Sequence, residues 1–270
     1  MPNPVLSDKV FQREKPPTQA GWAAPPQAPI PPAPDAVSPW VPARDYATMT
    51  VSGSITATAV LLILLVGAAF VGWNAVEVNP LDIQIPGWMF IPMIAGLGFA
   101  LLTVFKPQWA RFTAPLYALS MGTVVGGISH VYESQFNGVV LQAAGLTIGV
   151  LAVMLVLYAM RIIKATEKFR VVIICATGAI CLVYLFNIVL RLFGADLPFV
   201  HDSGLFGILF SLAVVVIASL NLILDFDFIE KGVAAGAPKH LEWYAGFGLL
   251  VTLVWIYLEL LRLLAKLQRR

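Results

Sequence analysis

From Ser54 almost to its C-terminus the chain is a succession of apolar runs. Each is close to the roughly 20 residues that a helix needs to cross about 30 Å of hydrocarbon. Seven such runs are read: Ile55–Val76, Trp88–Phe105, Phe112–Tyr132, Val139–Ile163, Val171–Phe193, Leu205–Leu224 (running on towards Phe228) and Tyr244–Leu267. In lipid no water is present to satisfy backbone N–H and C=O groups, so a spanning segment must be a helix or a strand of a closed barrel. The runs show no barrel-type alternation. The expected fold is therefore all-α, a polytopic membrane protein built as a seven-transmembrane-helix bundle. Composition agrees: only 12% of the 270 residues are charged and 59% are hydrophobic, whereas a soluble domain carries about 25% charge. Gly122, Gly126 and Gly127 on the third run suit close helix packing in lipid.

Residues 1–50 are of another kind. Twelve of the nineteen prolines lie there, many in APPQAPIPPAP. Proline at that density removes backbone donors and favours an extended, solvated chain. Residues 1–50 are expected to be a disordered, proline-rich cytoplasmic tail, and residues 51–270 the transmembrane domain. The proline runs also suit an aromatic groove on a partner. The first thirty residues lack a signal-peptide pattern, so the first apolar run is expected to serve as both signal and anchor. A net charge of +2 gives no electrostatic support to a nucleic-acid partner. Cys175 and Cys181, six apart in one run, are read as small apolar fillers that cannot bridge each other.

Lys and Arg mark the cytoplasmic side of a membrane protein. Lys9, Arg13, Lys15 and Arg44 lie in the tail, Lys106 and Arg111 around the second loop, Arg161, Lys164, Lys168 and Arg170 around the fourth, and Lys231 and Lys239 around the sixth. The first and third loops have none, and the fifth has only Arg191 at its edge. The expectation is a plasma-membrane protein with a cytoplasmic N-terminus. Arg262, Lys266, Arg269 and Arg270 oppose it, because a complete seventh crossing puts them outside and a re-entrant segment returns them inside.

A charge at membrane depth is costly and is usually paired or functional. Four places qualify. Asp225, Asp227 and Glu230 follow the sixth run, with Ser211, Asn221 and Asp225 near one helical face. Glu259 lies deep in the seventh run, with Thr252 on its face and Arg262 at i+3, in reach of an intrahelical ion pair. Asn187 and Arg191 share a face of the fifth run, where Arg191 snorkels to the outer interface. His130 and Glu133 end the third run, as an external proton site or as plain interface. No metal-ligand set assembles around His201 or His240, and no nucleophile or phosphate-loop motif is present. No enzymatic activity is expected.

DFDFIE near the end of one run, followed by YLELLRLL within the next, resembles the Bax inhibitor-1 family. GGISHVYESQFNGVVLQA, LFNIVLRLFG and GAPKHLEWYAGFGLLVTLVWIYLELLRLLAKL extend the resemblance, which looks like that of a bacterial branch. The proline-rich tail stands outside the general pattern. The resemblance implies a central seventh helix ringed by the other six. It also implies a pH-responsive carboxylate pair that closes a calcium-permeable leak path. By position the pair is Asp225 and Glu259, with Asp227 able to replace Asp225. Here a glutamate stands where an aspartate is usual, and Lys106 is the nearest candidate for the family's basic partner.

Two carboxylates about 4 Å apart repel by roughly 4 kcal/mol at an effective dielectric near 20, enough for the pair to share one proton. Loss of that proton would part the helices and attract a hard, oxygen-seeking cation such as Ca²⁺. The expected function is a pH-sensitive cation leak channel, with no cofactor beyond transient Ca²⁺. Its partners are the lipid bilayer, protons and cations. The alternative is a regulatory scaffold that binds another membrane protein, such as a quality-control protease.

Overall fold

The computed structural model describes residues 48–79, 82–84, 86–193 and 204–269. The expected tail therefore lies, up to residue 47, outside the described residues, as do His201 and the side chain of Arg191. Among the described residues seven helices are long and apolar enough to cross a membrane: α1 Val51–Ala75, α2 Phe90–Phe105, α3 Ala110–Gln135, α4 Val139–Ala159, α5 Glu167–Leu192, α6 Leu205–Ala234 and α7 Leu241–Gln268. Short 3-10 turns at Gly87–Met89 and Pro107–Trp109 lead into α2 and α3. Among the described residues the only strands are an antiparallel pair in the first loop, Glu77–Asn79 with Asp82–Gln84.

Several boundaries shift from the sequence expectation, and those of α4, α5 and α6 bear on the site; α5 begins at Glu167, four residues before Val171, and so takes in Arg170. α4 ends at Ala159, four residues before Ile163. The chain leaves it through Arg161 at a left-handed φ of 55°, a conformation that costs a non-glycine residue energy. α6 continues ten residues past Leu224, as far as Ala234. Asp225, Asp227 and Glu230 are thus fixed on a helix rather than spread through an interfacial loop.

α7 is unbroken over 28 residues, about 42 Å at 1.5 Å per residue. It is long enough to cross completely and has no re-entrant bend. It packs against α1, α3, α4 and α6, while α2 lies chiefly on α3 and α5 chiefly on α6. The last helix is therefore central, as the family resemblance implies, but its ring is less even than six equal neighbours. Two apolar clusters meet on it. Ala245, Leu249, Leu253, Ile256 and Leu260 join Val215, Ala218, Leu222 and Phe226 of α6. Phe247, Leu250 and Val254 join Leu61 and Leu65 of α1 and Ala114, Tyr117 and Ala118 of α3.

α1 and α3 approach backbone to backbone. A Cβ on Gly126 would fall on the Ala69 carbonyl, one on Gly122 on that of Leu65, and one on Gly72 on that of Thr123. Without a hydrophobic force between helices in lipid, such contact supplies the dispersion energy that joins them. At the end where the tail enters, Met49 N–H donates to the Ala237 carbonyl (2.7 Å), and Thr50 N–H and Oγ1 donate to Glu242 Oε1 (3.0 and 2.9 Å). This ties the start of α1 to the α6–α7 turn.

Gly126→Leu is expected to destabilise the bundle by about 2 kcal/mol or more through overpacking. Gly178→Leu, where no neighbour stands within 4 Å, is expected to be tolerated. Thermal unfolding of the two variants in detergent checks this. Equal melting temperatures would show that the α1–α3 approach is not a tight one.

Candidate functional site

The polar residues at membrane depth collect along α6 and on the faces of α5 and α7 that meet it. α6 supplies Ser211, Asn221 and Asp225, whose spacings of four and fourteen return to nearly one helical angle, and Asp227, two residues past Asp225, on another face. Apolar side chains between them (Val215, Ala218, Leu222) fill the contact with α7 and leave the polar groups to find partners across the seam.

Asp225 and Glu259 do not form the expected pair. Asp225 Oδ2 accepts from Thr252 Oγ1 at 2.7 Å. Glu259 Oε2 accepts from Tyr184 OH and from Arg262 Nη1, both at 2.8 Å. Thr252 and Glu259 are seven residues apart on α7, about 10.5 Å along its axis. The physical reason is register: the α7 residue level with Asp225 is Thr252, two turns short of the glutamate. A single proton shared in direct contact is thus replaced by two separate carboxylates on one seam. Asp227 does not complete the pair either. It accepts from Arg170 of α5 (2.9 Å) and lies 2.8 Å from Lys231 Nζ, one turn on along α6.

The two acids differ in their surroundings. Among the described residues Asp225 has one neutral donor, Thr252, and no cation in ion-pair range. Glu259 is 1% exposed and sits in a closed triangle, since Arg262 Nη1 also donates to Tyr184 OH (2.6 Å) and the guanidinium lies over that ring, 5.0 Å from its centre. The i,i+3 ion pair read from the sequence is therefore present, and α5 adds a third member. Glu259 Oε1 is fully buried with no hydrogen-bond partner among the described residues.

The remaining candidates separate. Asn221 Nδ2 donates to Thr177 Oγ1 of α5 and to the Ile217 carbonyl, both at 2.9 Å. Asn187 is 4% exposed on α5, and Arg191 stands one turn later on the same helix. Lys106 ends α2, exposed, with no hydrogen bond or ion pair to either acid. His130 Nδ1 meets the Trp73 carbonyl at 2.7 Å and its ring stacks on Trp73. Glu133 instead accepts from the N–H groups of Gly138 and Val140 at the start of α4 (2.6 and 3.0 Å). The histidine and the glutamate do not form one site.

Glu230 accepts from Tyr158 OH and lies 3.4 Å from Arg161 at the tail-side end. At the opposite end Lys266, one of the cations that opposed the charge rule, is held within the bundle, while Arg269 stays exposed. Lys266 is 4% exposed and donates to the Gly207 carbonyl and Ser211 Oγ, both at 3.0 Å. Arg269 donates to Gln135 Oε1 at 3.3 Å and lies over the Phe136 ring. Cys175 and Cys181 are unbridged and exposed on α5, rather than packed as fillers.

Tyr184, Thr177 and Arg170 are site residues that the apolar runs do not single out, although their seven-residue spacing puts all three on one face of α5. Nothing in one chain's pattern shows which basic residue near a helix end, such as Lys266, is buried.

Arg262→Met leaves Glu259 buried with its charge balanced only by a phenol, at a cost of roughly 3 kcal/mol. Arg262→Met/Glu259→Gln removes both charges and is expected to recover most of that loss. Chemical or thermal denaturation of the single and double variants measures the coupling. Additive losses would mean the pair is not energetically joined.

The sequence profile of the family described as Bax inhibitor 1 like matches residues 3–269. The match takes in the proline-rich tail, which the sequence reading had set outside the family pattern. No curated protein matches the chain. With nearly the whole chain covered, this seven-helix membrane protein belongs to the Bax inhibitor 1-like family.

Proposed function

We propose that this protein is a pH-sensitive cation leak path, with calcium as the favoured ion, and that the carboxylates of the α6–α7 seam gate it. The observation that carries the reading is Asp225, a carboxylate at membrane depth tied by one neutral hydrogen bond to Thr252 and matched by no cation among the described residues. Intramembrane ionisable groups of this kind mark ion and proton routes. Family membership points the same way.

The reading gives the two acids separate roles. The protonated Asp225 is neutral and is satisfied in the closed bundle by its hydrogen bond to Thr252. Its anion places a full charge where only the Thr252 hydroxyl answers it, which favours entry of water and of a hard cation with oxygen ligands. Glu259, already neutralised by Arg262 and fixed by Tyr184, sets a second level of the path about 10.5 Å away. The sign follows: flux is low when Asp225 is protonated and rises as pH increases. Calcium is cargo on this reading, and no covalent chemistry or resident cofactor is assigned.

The membrane is proposed to be the plasma membrane, with the tail in the cytoplasm. The pairing of Arg262 with Glu259 and the burial of Lys266 against the Gly207 carbonyl and Ser211 support this, because neither charge is offered freely to a membrane face.

A second reading is a scaffold that binds another membrane protein through the tail. It is favoured by the hydrogen bonds that fasten Met49 and Thr50 to the α6–α7 turn, which would pass a pull on the tail to the helices carrying the acids. Removal of residues 1–45 separates the two: a leak path still conducts, and a scaffold loses its partner.

Calcium flux into proteoliposomes across a pH series tests the first reading. The wild type is expected to conduct more at pH 8 than at pH 6. Asp225→Asn is expected to flatten that dependence, and Glu259→Gln to lower flux by leaving Arg262 unpaired. Equal wild-type flux at both pH values, or none above empty vesicles, would sink it.

A further inference from the structure

α5 is attached to the bundle unlike any of its neighbours. It contributes no residue to either apolar cluster, and its buried apolar side chains among the described residues are Ile173 and Ile180. What meets the bundle instead is a polar ladder with a rung every seven residues. Arg170 bonds Asp227, Thr177 bonds Asn221, and Tyr184 bonds Glu259 and Arg262. Seven residues advance about 10.5 Å, so three rungs cover about 21 Å of a hydrocarbon layer near 30 Å thick. Asn187, buried, lies nearly one turn beyond the last rung. The opposite side of α5 faces lipid with Val171, Val172, Ile174, Leu182, Leu185 and Ile188 exposed.

We propose that the seam between α5 and the α6–α7 pair is the hydrated passage of this protein, and that α5 is the wall that moves to open it. Along the seam stand oxygens that can replace a cation's water: Thr177 Oγ1, the Asn221 amide oxygen, the Tyr184 hydroxyl and Glu259 Oε1. Oxygen sets of this kind suit hard cations. Glu259 Oε1, buried and without a hydrogen-bond partner among the described residues, is the atom most in want of one. Arg170 and Arg262 do not block the route, since each is held against a carboxylate. Water can take over each rung's hydrogen bonds when α5 moves, whereas parting the apolar α6–α7 contact would leave its side chains unpacked.

This deepens the cation-path reading and rests on it only for its flux readout. The first test needs no flux. In a Cys175→Ser/Cys181→Ser background, single cysteines are placed at Thr177, at lipid-facing Leu182 and at Lys164 in the α4–α5 turn. Proteoliposomes are then exposed on both faces to a charged methanethiosulfonate reagent. Thr177→Cys is expected to react at a rate near that of Lys164→Cys, and Leu182→Cys to remain unlabelled. If Thr177→Cys is as unreactive as Leu182→Cys, the seam is dry and the proposal falls.

The second test bridges Thr177→Cys to Asn221→Cys with a short bis-methanethiosulfonate linker. Calcium flux is expected to be lost on bridging and restored on reduction. A bridged protein that conducts as before would rule out α5 as the moving wall. If the unmodified protein carries no calcium, the cation-path reading fails by itself, and the labelling pattern still decides whether the seam holds water.

Discussion

The bundle depends on one constraint: α7 has to run through the middle of a membrane protein while carrying a glutamate, an arginine and a lysine. Lipid does not stabilise their charges, so in the closed bundle each is answered by another helix or by its own. The answers come from α5 through Tyr184, from α7 through the i,i+3 pair of Glu259 and Arg262, and from α6 through the Gly207 carbonyl and Ser211. The helices that pack on α7 are thus placed by polar demand as well as by the two apolar clusters that meet on it.

The two kinds of contact divide the labour. The α1–α3 approach is made by glycines and has almost no room to change. The α6–α7 face is an apolar zipper interrupted by Asp225 and Thr252. α5 is held chiefly by hydrogen bonds, which in membrane proteins average only about 0.6 kcal/mol each. A rigid frame of α1, α3, α6 and α7 with a lightly held α5 beside it follows from that difference. Polar groups that serve as the weaker contacts are also the ones a hydrated ion would use.

The anchoring of Thr48–Thr50 to the α6–α7 turn adds a mechanical link. Glu242 is 4% exposed and receives both the backbone and the side chain of Thr50, and Met49 is buried nearby against Gly232. The base of the tail therefore belongs to the bundle. Asp225 lies some seventeen residues before Glu242, across the same turn, so events at the tail and at the carboxylate share one helical pair.

The sequence by itself determined the all-α architecture, seven helices and the residues that would be costly in lipid. Run length and backbone satisfaction are local properties, and both are written in the order of apolar residues. It also determined the Glu259–Arg262 pair, because an i,i+3 contact lies on one helix. What only the tertiary structure decided is which polar residues meet across helices. Asp225 faces Thr252 and not Glu259 because the relative register of α6 and α7 is set by their packed side chains, and a shift of two turns leaves each helix's own pattern unchanged. For the same reason Tyr184, Thr177 and Arg170 became a ladder only when α6 and α7 were set beside α5.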